Sequence, residues 1–227
     1  MISNAFVLLT AALVLQGQTP PTPLTGAIKL ERVYVKGVTD KYDVQVSLNM
    51  GGAEGKAVAK VESKVLEELK GGLAQVEMSV QSISMMMQEQ EMPTEAPAPI
   101  KSTFDKMGMP SNLEVKDEKW VYALIVLSSF APGQAETGKE FKIAWKSADG
   151  SVVIAGTGKV VEIVTVDSKR VAVVKTKMKV TPAEDTPGEL ELTARLDVAT
   201  GTLIQSEGKL TVESDGMTAS FTIKRAK

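Results

Sequence analysis

The sequence predicts a mainly β protein in which antiparallel sheets form a curved half-barrel or a sandwich. Two similar halves build these sheets, with one intervening helix near residues 117–130. From Ile28 onward, apolar and polar residues alternate in segments rich in β-branched side chains, a pattern typical of half-buried strands. Residues that favour turns, such as Asp149-Gly150 and Pro187-Gly188, separate these segments at regular intervals and indicate antiparallel connections.

The N-terminus carries an apolar run that predicts export. Residues 5–15 read AFVLLTAALVL, which matches the core of a signal peptide and is too short to span a bilayer. We therefore expect a signal peptide at 1–18 and a flexible Pro- and Thr-rich segment at 19–27. The alternative is a buried strand or helix of the domain itself. No other run approaches the ~18 apolar residues of a membrane helix, so we expect a mature chain without a membrane span, in the periplasm or outside the cell.

The remainder divides into a first β module at 28–116, a connecting helix at 117–130 and a second β module at 131–227. Both modules show a glycine and polar spacer before an alternating strand, then a long hairpin, then an aspartate–glycine corner. We interpret this order as an internal repeat that arose by tandem duplication. The matched stretches are 35–46 with 131–145, 64–80 with 159–180, and 103–113 with 195–205.

The connecting segment favours a helix over a strand. Asp117 can cap its N-terminus, acidic residues occupy its first turn, and Pro132-Gly133 can end it. Its valine and isoleucine content leaves a buried strand as the alternative. The predicted apolar face consists of Trp120, Val121, Leu124, Ile125 and Ser128.

Composition excludes several classes of function. The chain has no cysteine and no histidine, which excludes disulfides, thiolate sites and the commonest general base and transition-metal ligand. A net charge of −2 and an aromatic content of 4% disfavour nucleic acid as a partner. We predict no catalytic residue, no metal site and no cofactor, and hence not an enzyme. Carboxylate chemistry is the remaining enzymatic alternative, with pairs available from Glu67, Glu68, Glu162, Glu189 and Glu191.

Methionines cluster in the stretch SISMMMQEQEMPTEAPAPI, residues 82–100. Thioethers are soft ligands that suit Cu(I), but copper sites usually recruit histidine or cysteine as well. A second interpretation is a flexible apolar lip for an acyl chain or a partner protein. The third, which we favour, is a strand that ends at residues 85–87 with methionines packed at the sheet edge, followed by a solvated loop. The candidate ligand-binding residues are Met85, Met86, Met87, Met92 and Trp145.

Other motifs favour structural roles. Five aspartates lie at turns but lack the spacing of a calcium loop, so we interpret them as turn residues. The GTGK stretch at 156–159 precedes a strand pattern rather than a helix and is not a phosphate loop. Trp120 and Trp145 fit core packing better than ligand stacking. The turn aspartates are Asp105, Asp149, Asp167, Asp197 and Asp215.

Three stretches carry a resemblance to known proteins: PGQAETGKEFKIAW at 132–145, LDVATGTL at 196–203, and the methionine-rich patch before FDKMGMP at 104–110. With them the chain resembles a family of exported bacterial proteins known only as a domain of unknown function, which implies no known activity. More distantly it is similar to Lol-type periplasmic lipoprotein carriers, which implies an incomplete barrel around an apolar groove.

These observations lead to one main functional hypothesis and one alternative. The main hypothesis is a non-enzymatic exported binding or carrier domain. Its partner is an apolar ligand, such as a lipid or a lipoprotein acyl chain, or another envelope protein. The alternating strands carry more apolar surface than one short helix can cover, which favours this hypothesis. The alternative is a structural or assembly module of the cell envelope without a small-molecule ligand.

Overall fold

The computed structural model describes residues 26–115, 119–183, 186–212 and 216–226. The predicted signal peptide, Asp117 and Asp215 lie outside these ranges. Helix α1 spans Trp120–Ser128, and a short 3-10 turn at Lys70–Gly72 joins two long strands. The strands are β1 (Ala27–Leu30), β2 (Thr39–Met50), β3 (Ala53–Glu68), β4 (Ala74–Met87), β5 (Gln90–Met92), β6 (Ile100–Phe104), β7 (Gly133–Glu136), β8 (Glu140–Lys146), β9 (Val152–Val166), β10 (Lys169–Pro182), β11 (Gly188–Asp197), β12 (Leu203–Val212) and β13 (Met217–Arg225).

Most strands belong to one antiparallel sheet of eleven strands, in the order β5-β4-β3-β2-β13-β12-β11-β10-β9-β8, with β6 also paired to β4. Strands β1 and β7 form a separate two-stranded sheet. The predicted mainly β, antiparallel fold with a single α-helix is confirmed for the described residues. The strands of both predicted modules enter the same sheet, because β2 pairs with β13. The tandem duplication itself stays a prediction.

The helix lies inside the curve of the sheet. All residues of α1 from Val121 to Ser128 are buried, and a helix that is apolar all round must be surrounded by protein. The sheet therefore wraps around α1 as an open half-barrel, the first of the two predicted shapes. The predicted single apolar face is wrong, since Tyr122, Ala123, Val126 and Leu127 are buried as well.

One edge of the sheet is an interrupted strand. β5 and β6 both pair with β4, and residues 93–99 leave the edge between them. The predicted loop after residue 87 therefore begins later, because Gln88 and Glu89 form a tight turn with φ of 49° and 65° that returns the chain as β5. Such left-handed pairs are typical of two-residue hairpin turns.

Residues 31–36 run across one end of the half-barrel. The alternation that begins at Ile28 predicts a strand here, which is wrong beyond Leu30. The N–H of Arg32 instead donates to the carbonyl of Lys106 (2.8 Å) and the N–H of Val33 to that of Thr200 (2.9 Å). Two corner loops, one from each predicted module, take up the hydrogen bonds that a sheet partner would otherwise provide.

Candidate functional site

An apolar groove of about 360 Å³ lies between α1 and the inner face of the sheet, the face toward the helix. This volume is within the range of about 300–1,000 Å³ that small-molecule sites occupy. Strands β2 and β10–β13 supply its floor and α1 one wall. The lining residues are Val46, Leu48, Met50, Val115, Trp120, Ala123, Leu124, Leu127, Val180, Pro182, Thr186, Gly188, Leu190, Leu210, Val212, Met217 and Ala219.

The helical wall follows from residue spacing. Trp120, Ala123, Leu124 and Leu127 recur at i, i+3, i+4 and i+7, which places them on one side of a helix. The opposite side of α1 includes Ile125, which packs beside Arg32 at the far end of the half-barrel. The helix thus separates the groove from the packed core below it.

The floor is built from cross-strand neighbours, which always share a face of the sheet. One row runs through Leu190, Leu210, Ala219 and Leu48 on four adjacent strands. A second row contains Val212, Met217 and Met50. The small side chain of Ala219 in the middle of the first row leaves the room that a larger residue would fill.

The groove is suited to an apolar ligand. Every lining side chain among the described residues is uncharged, and Thr186 supplies the hydroxyl group. Apolar surface gains roughly 25 cal/mol per Å² when it is removed from water. Met50 retains 42% of its exposure, so the groove stays open to solvent at this end. The site can thus hold a hydrocarbon chain but offers no group for acid–base chemistry.

Two candidate methionines of β4 lie on the groove's side of the sheet. Leu48 pairs with Gly55, and Gly55 with Met87. In parallel, Val46 pairs with Ala57, and Ala57 with Met85. Met85 and Met87 therefore share the inner face with the groove, two strands beyond its edge.

The other three candidates have different surroundings. Trp145 pairs with Ile154, which pairs with the groove residue Val180, so Trp145 lies two strands beyond the opposite edge of the groove. Met86 faces outward and is 45% exposed. Met92, in β5, is the cross-strand neighbour of Met85 and so shares the inner face, but it is 44% exposed. None of the five lines the groove, and their role in ligand binding stays a prediction.

Sequence reasoning missed most of the groove. It identified Trp120 and Leu124 as part of one apolar face of the helix and assigned Trp120 to core packing. The sequence did carry a signal for the helical wall of the groove, because Ala123 and Leu127 complete the i, i+3, i+4, i+7 spacing that starts at Trp120. The floor could not be found in this way, because β2 meets β13 through residues far apart in the sequence.

The acidic candidates lie away from the groove. Glu189 and Glu191 are exposed and pair with Lys177 at 3.6 Å and 2.9 Å between nitrogen and oxygen. The hydrogen bond from Lys177 lowers the pKa of Glu191. The Ser147 hydroxyl and the Ser151 N–H and hydroxyl donate to Asp149, which lowers its pKa to about 2. These are surface ion pairs and turn hydrogen bonds.

Comparison with known proteins gives structural matches only. No family model and no curated protein matches the chain. Of the described helices, none is long and apolar enough to cross a membrane.

Three solved structures show the range of matches. A DUF1329 family protein from Desulfovibrio piger is 9% identical, with 83% of this chain and 84% of that chain covered and a TM-score of 0.27. A putative outer membrane lipoprotein-sorting protein domain from Vibrio parahaemolyticus is 8% identical (83% and 86% covered, TM-score 0.26). A LolA superfamily protein from Nitrosomonas europaea is 10% identical (85% and 86% covered, TM-score 0.24). Both kinds of protein that the sequence resembles are thus among the structures it matches, although TM-scores this low carry no argument about function.

Proposed function

We propose that the protein is an exported, non-enzymatic binding or carrier protein that holds a hydrocarbon chain, from a lipid or a lipoprotein, in the groove beside α1. The observation that carries this proposal is the groove itself, about 360 Å³ in volume and without a charged side chain among its described lining residues. A protein that only packed against itself would gain stability by filling this space, since interiors are close-packed.

Met85, Met87 and Trp145 extend the proposed site. Their cross-strand rows continue the groove's apolar floor on both sides. Met85 and Trp145 are partly exposed and pack against the buried core. Flexible methionine suits a surface that accepts chains of different shape. A ligand longer than the groove would contact these residues next.

The two tryptophans allow a direct test. Trp120 lines the groove and Trp145 does not, and the chain has no third tryptophan. A brominated fatty acid quenches tryptophan fluorescence at short range. We expect strong quenching in W145F, which retains Trp120, and weaker quenching in W120F, which retains Trp145.

A blocking variant and a matched control complete the test. Ala219→Phe fills the middle of the floor, whereas Ala144→Phe makes the same change on the exposed outer face of β8. We expect A219F to weaken binding of the brominated fatty acid at least tenfold and A144F to leave it unchanged. Equal quenching of both single-tryptophan variants, or unchanged binding by A219F, would contradict the assignment of the groove.

The natural ligand requires a separate measurement. Native mass spectrometry of the protein recovered gently from its own cells should show an adduct of lipid mass that organic solvent removes. A bare polypeptide mass, combined with no binding of the brominated fatty acid, would favour the assembly module instead.

A further inference from the structure

The outer face of β8–β10 carries a concentration of positive charge. Lys142 and Lys146 lie on β8, Lys159 on β9, and Lys175, Lys177 and Lys179 on β10, at positions that alternate with buried residues. All six are exposed. We call these residues the lysine face. The acids on the same three strands are Glu140 and Glu162, in a chain whose net charge is −2.

Acids on neighbouring strands compensate part of this charge. Lys159 lies opposite Glu140, Lys177 opposite Glu191 and Lys179 opposite Glu189, so six lysines against three glutamates leave an excess of three positive charges. Lys177 pairs with Glu189 and Glu191 on the neighbouring strand. The other five lysines form no ion pair with an acid in the described ranges. Lys175 lies directly opposite Lys159, an arrangement that destabilises a sheet because like charges repel across neighbouring strands.

The outer face of the first predicted module differs. There Lys41 pairs with Glu62 at 3.0 Å, and Lys101 pairs with Glu77 at 3.0 Å. Strand β3 carries four glutamates and three lysines, so this part of the sheet has no extended field of one sign. The lysine face is therefore a local feature rather than a general property of the outer surface.

Apolar side chains lie between the lysines. Val153 is 40% exposed and is the cross-strand neighbour of Lys146. Ala144 and Ala155 face each other on β8 and β9, and Ala155 also faces Lys179 on β10. This combination of lysine ammonium groups around small exposed apolar side chains is complementary to a phospholipid surface, where phosphates lie above hydrocarbon.

We propose that the lysine face docks on an anionic phospholipid membrane. Lysines near an anionic bilayer contribute favourably because the surface potential attracts them. A nucleic acid is a poorer match, because these strands offer no exposed aromatic ring for stacking. The groove residues Val180 and Pro182 lie on β10 next to Lys179 but on the opposite face. Docking would thus leave the groove on the side of β10 that faces away from the lipid. The proposal rests on the lysine face and does not require the groove to bind a ligand.

Sedimentation with vesicles tests the proposal. The mature chain should bind vesicles that contain phosphatidylglycerol but not pure phosphatidylcholine vesicles, and binding should weaken as salt screens the charges. K159Q/K175Q should bind phosphatidylglycerol vesicles roughly thirtyfold more weakly. The matched control K56Q/K60Q, with two lysines on the outer face of β3, should bind like the unchanged protein. K159Q/K175Q removes the repulsion between the two lysines together with the attraction of Lys159 to Glu140, so its resistance to heat should stay close to that of the unchanged protein, which separates lost docking from lost folding.

Any of three results with vesicles would overturn the proposal. These are no binding to phosphatidylglycerol vesicles at low salt, equal binding to phosphatidylcholine vesicles, and an equal loss in both double variants. Tighter binding of a short DNA duplex than of the vesicles, abolished by K159Q/K175Q, would assign the face to nucleic acid and overturn the lipid assignment. Quenching by the brominated fatty acid should be unchanged in K159Q/K175Q, so the two proposals fail independently.

Discussion

At the scale of single residues, a partly buried charge cluster connects the first long strand to the last. Asp40 is the second residue of β2, and its side chain is 10% exposed. Its carboxylate lies 2.5 Å from Arg225 of β13 and 3.8 Å from Arg32. Arg32 also donates to the carbonyl of Gly201 at 3.3 Å. Removing one partner of a buried ion pair leaves an uncompensated charge, so these residues hold the strand ends in one arrangement.

The tyrosines beside this cluster make stability sensitive to alkaline pH. Burial raises the pKa of both Tyr34 and Tyr42 to about 12, although nearby Arg32 favours their ionised forms. An unfolded tyrosine has a pKa of about 10. The unfolded chain therefore loses protons first, and the stabilisation present below pH 10 is lost as the pH rises toward 12.

The ultraviolet absorbance of tyrosinate measures the ionisation of the tyrosines, and circular dichroism measures unfolding over the same pH range. We expect little tyrosinate at pH 10–11 while the protein stays folded. As the pH rises further, tyrosinate should appear together with unfolding. The same chain in urea, with a titration near pH 10, is the control. Titration of all three tyrosines near pH 10 with native circular dichroism would contradict their burial.

At the scale of elements, Tyr122 fastens α1 to the interrupted edge of the sheet. Residues 93–99 do not pair with β4. At this gap, the N–H of Val80 donates to the Tyr122 hydroxyl at 3.2 Å. The hydroxyl in turn lies 3.5 Å and 3.4 Å from the carbonyls of Pro97 and Ala98. One side chain of the helix thus satisfies a backbone donor that the missing edge strand leaves free.

Tyr122→Phe should lower the free energy of unfolding by about 1–3 kcal/mol, because it leaves a buried N–H without an acceptor. Urea denaturation measures this change, and hydrogen exchange should show faster exchange at the Val80 amide. The amide of Met78, which is covered by β6, serves as the internal control. Unchanged exchange at Val80 would show that the hydroxyl is not its acceptor in solution.

At the scale of the whole molecule, the open half-barrel leaves apolar floor uncovered. A helix of nine residues lies against a sheet of eleven strands. Strands β2 and β10–β13 extend beyond the helix at the end where the groove opens. The groove is therefore a consequence of the mismatch between a long curved sheet and a short helix.

This geometry predicts how affinity depends on ligand structure. Each methylene that enters the groove contributes about 0.8 kcal/mol, or roughly a fourfold gain in affinity. A series of fatty acids in titration calorimetry should show this gain until the chain outgrows the groove. The fatty alcohol of equal length should bind about as tightly as the acid, because the described lining residues carry no charge. A strong preference for the acid would indicate a cationic contact that the groove lacks.

Much of the fold could be predicted from local pattern. Alternation with period two predicted half-buried strands, and turn residues such as Asp149-Gly150 and Pro187-Gly188 marked the connections between them. The segment around Trp120–Ser128 was identified as a helix. Local reasoning was wrong for residues 31–36, whose apolar residues alternate like a strand. That segment forms its hydrogen bonds with two loops that lie far away in sequence.

The sequence by itself determined the strands, the single helix and the absence of thiol and imidazole chemistry, because these follow from neighbouring residues and from composition. Only the tertiary structure decided that α1 is buried on all sides, that Ala219 and Leu48 meet in one floor, and that the lysines of three strands form one face. Each of these depends on which strands pair and in what register, through contacts between distant residues such as those of β2 and β13. The period-two pattern is the same for every register that keeps apolar residues on one side, so it specifies the buried face of a strand but not the strand's neighbour.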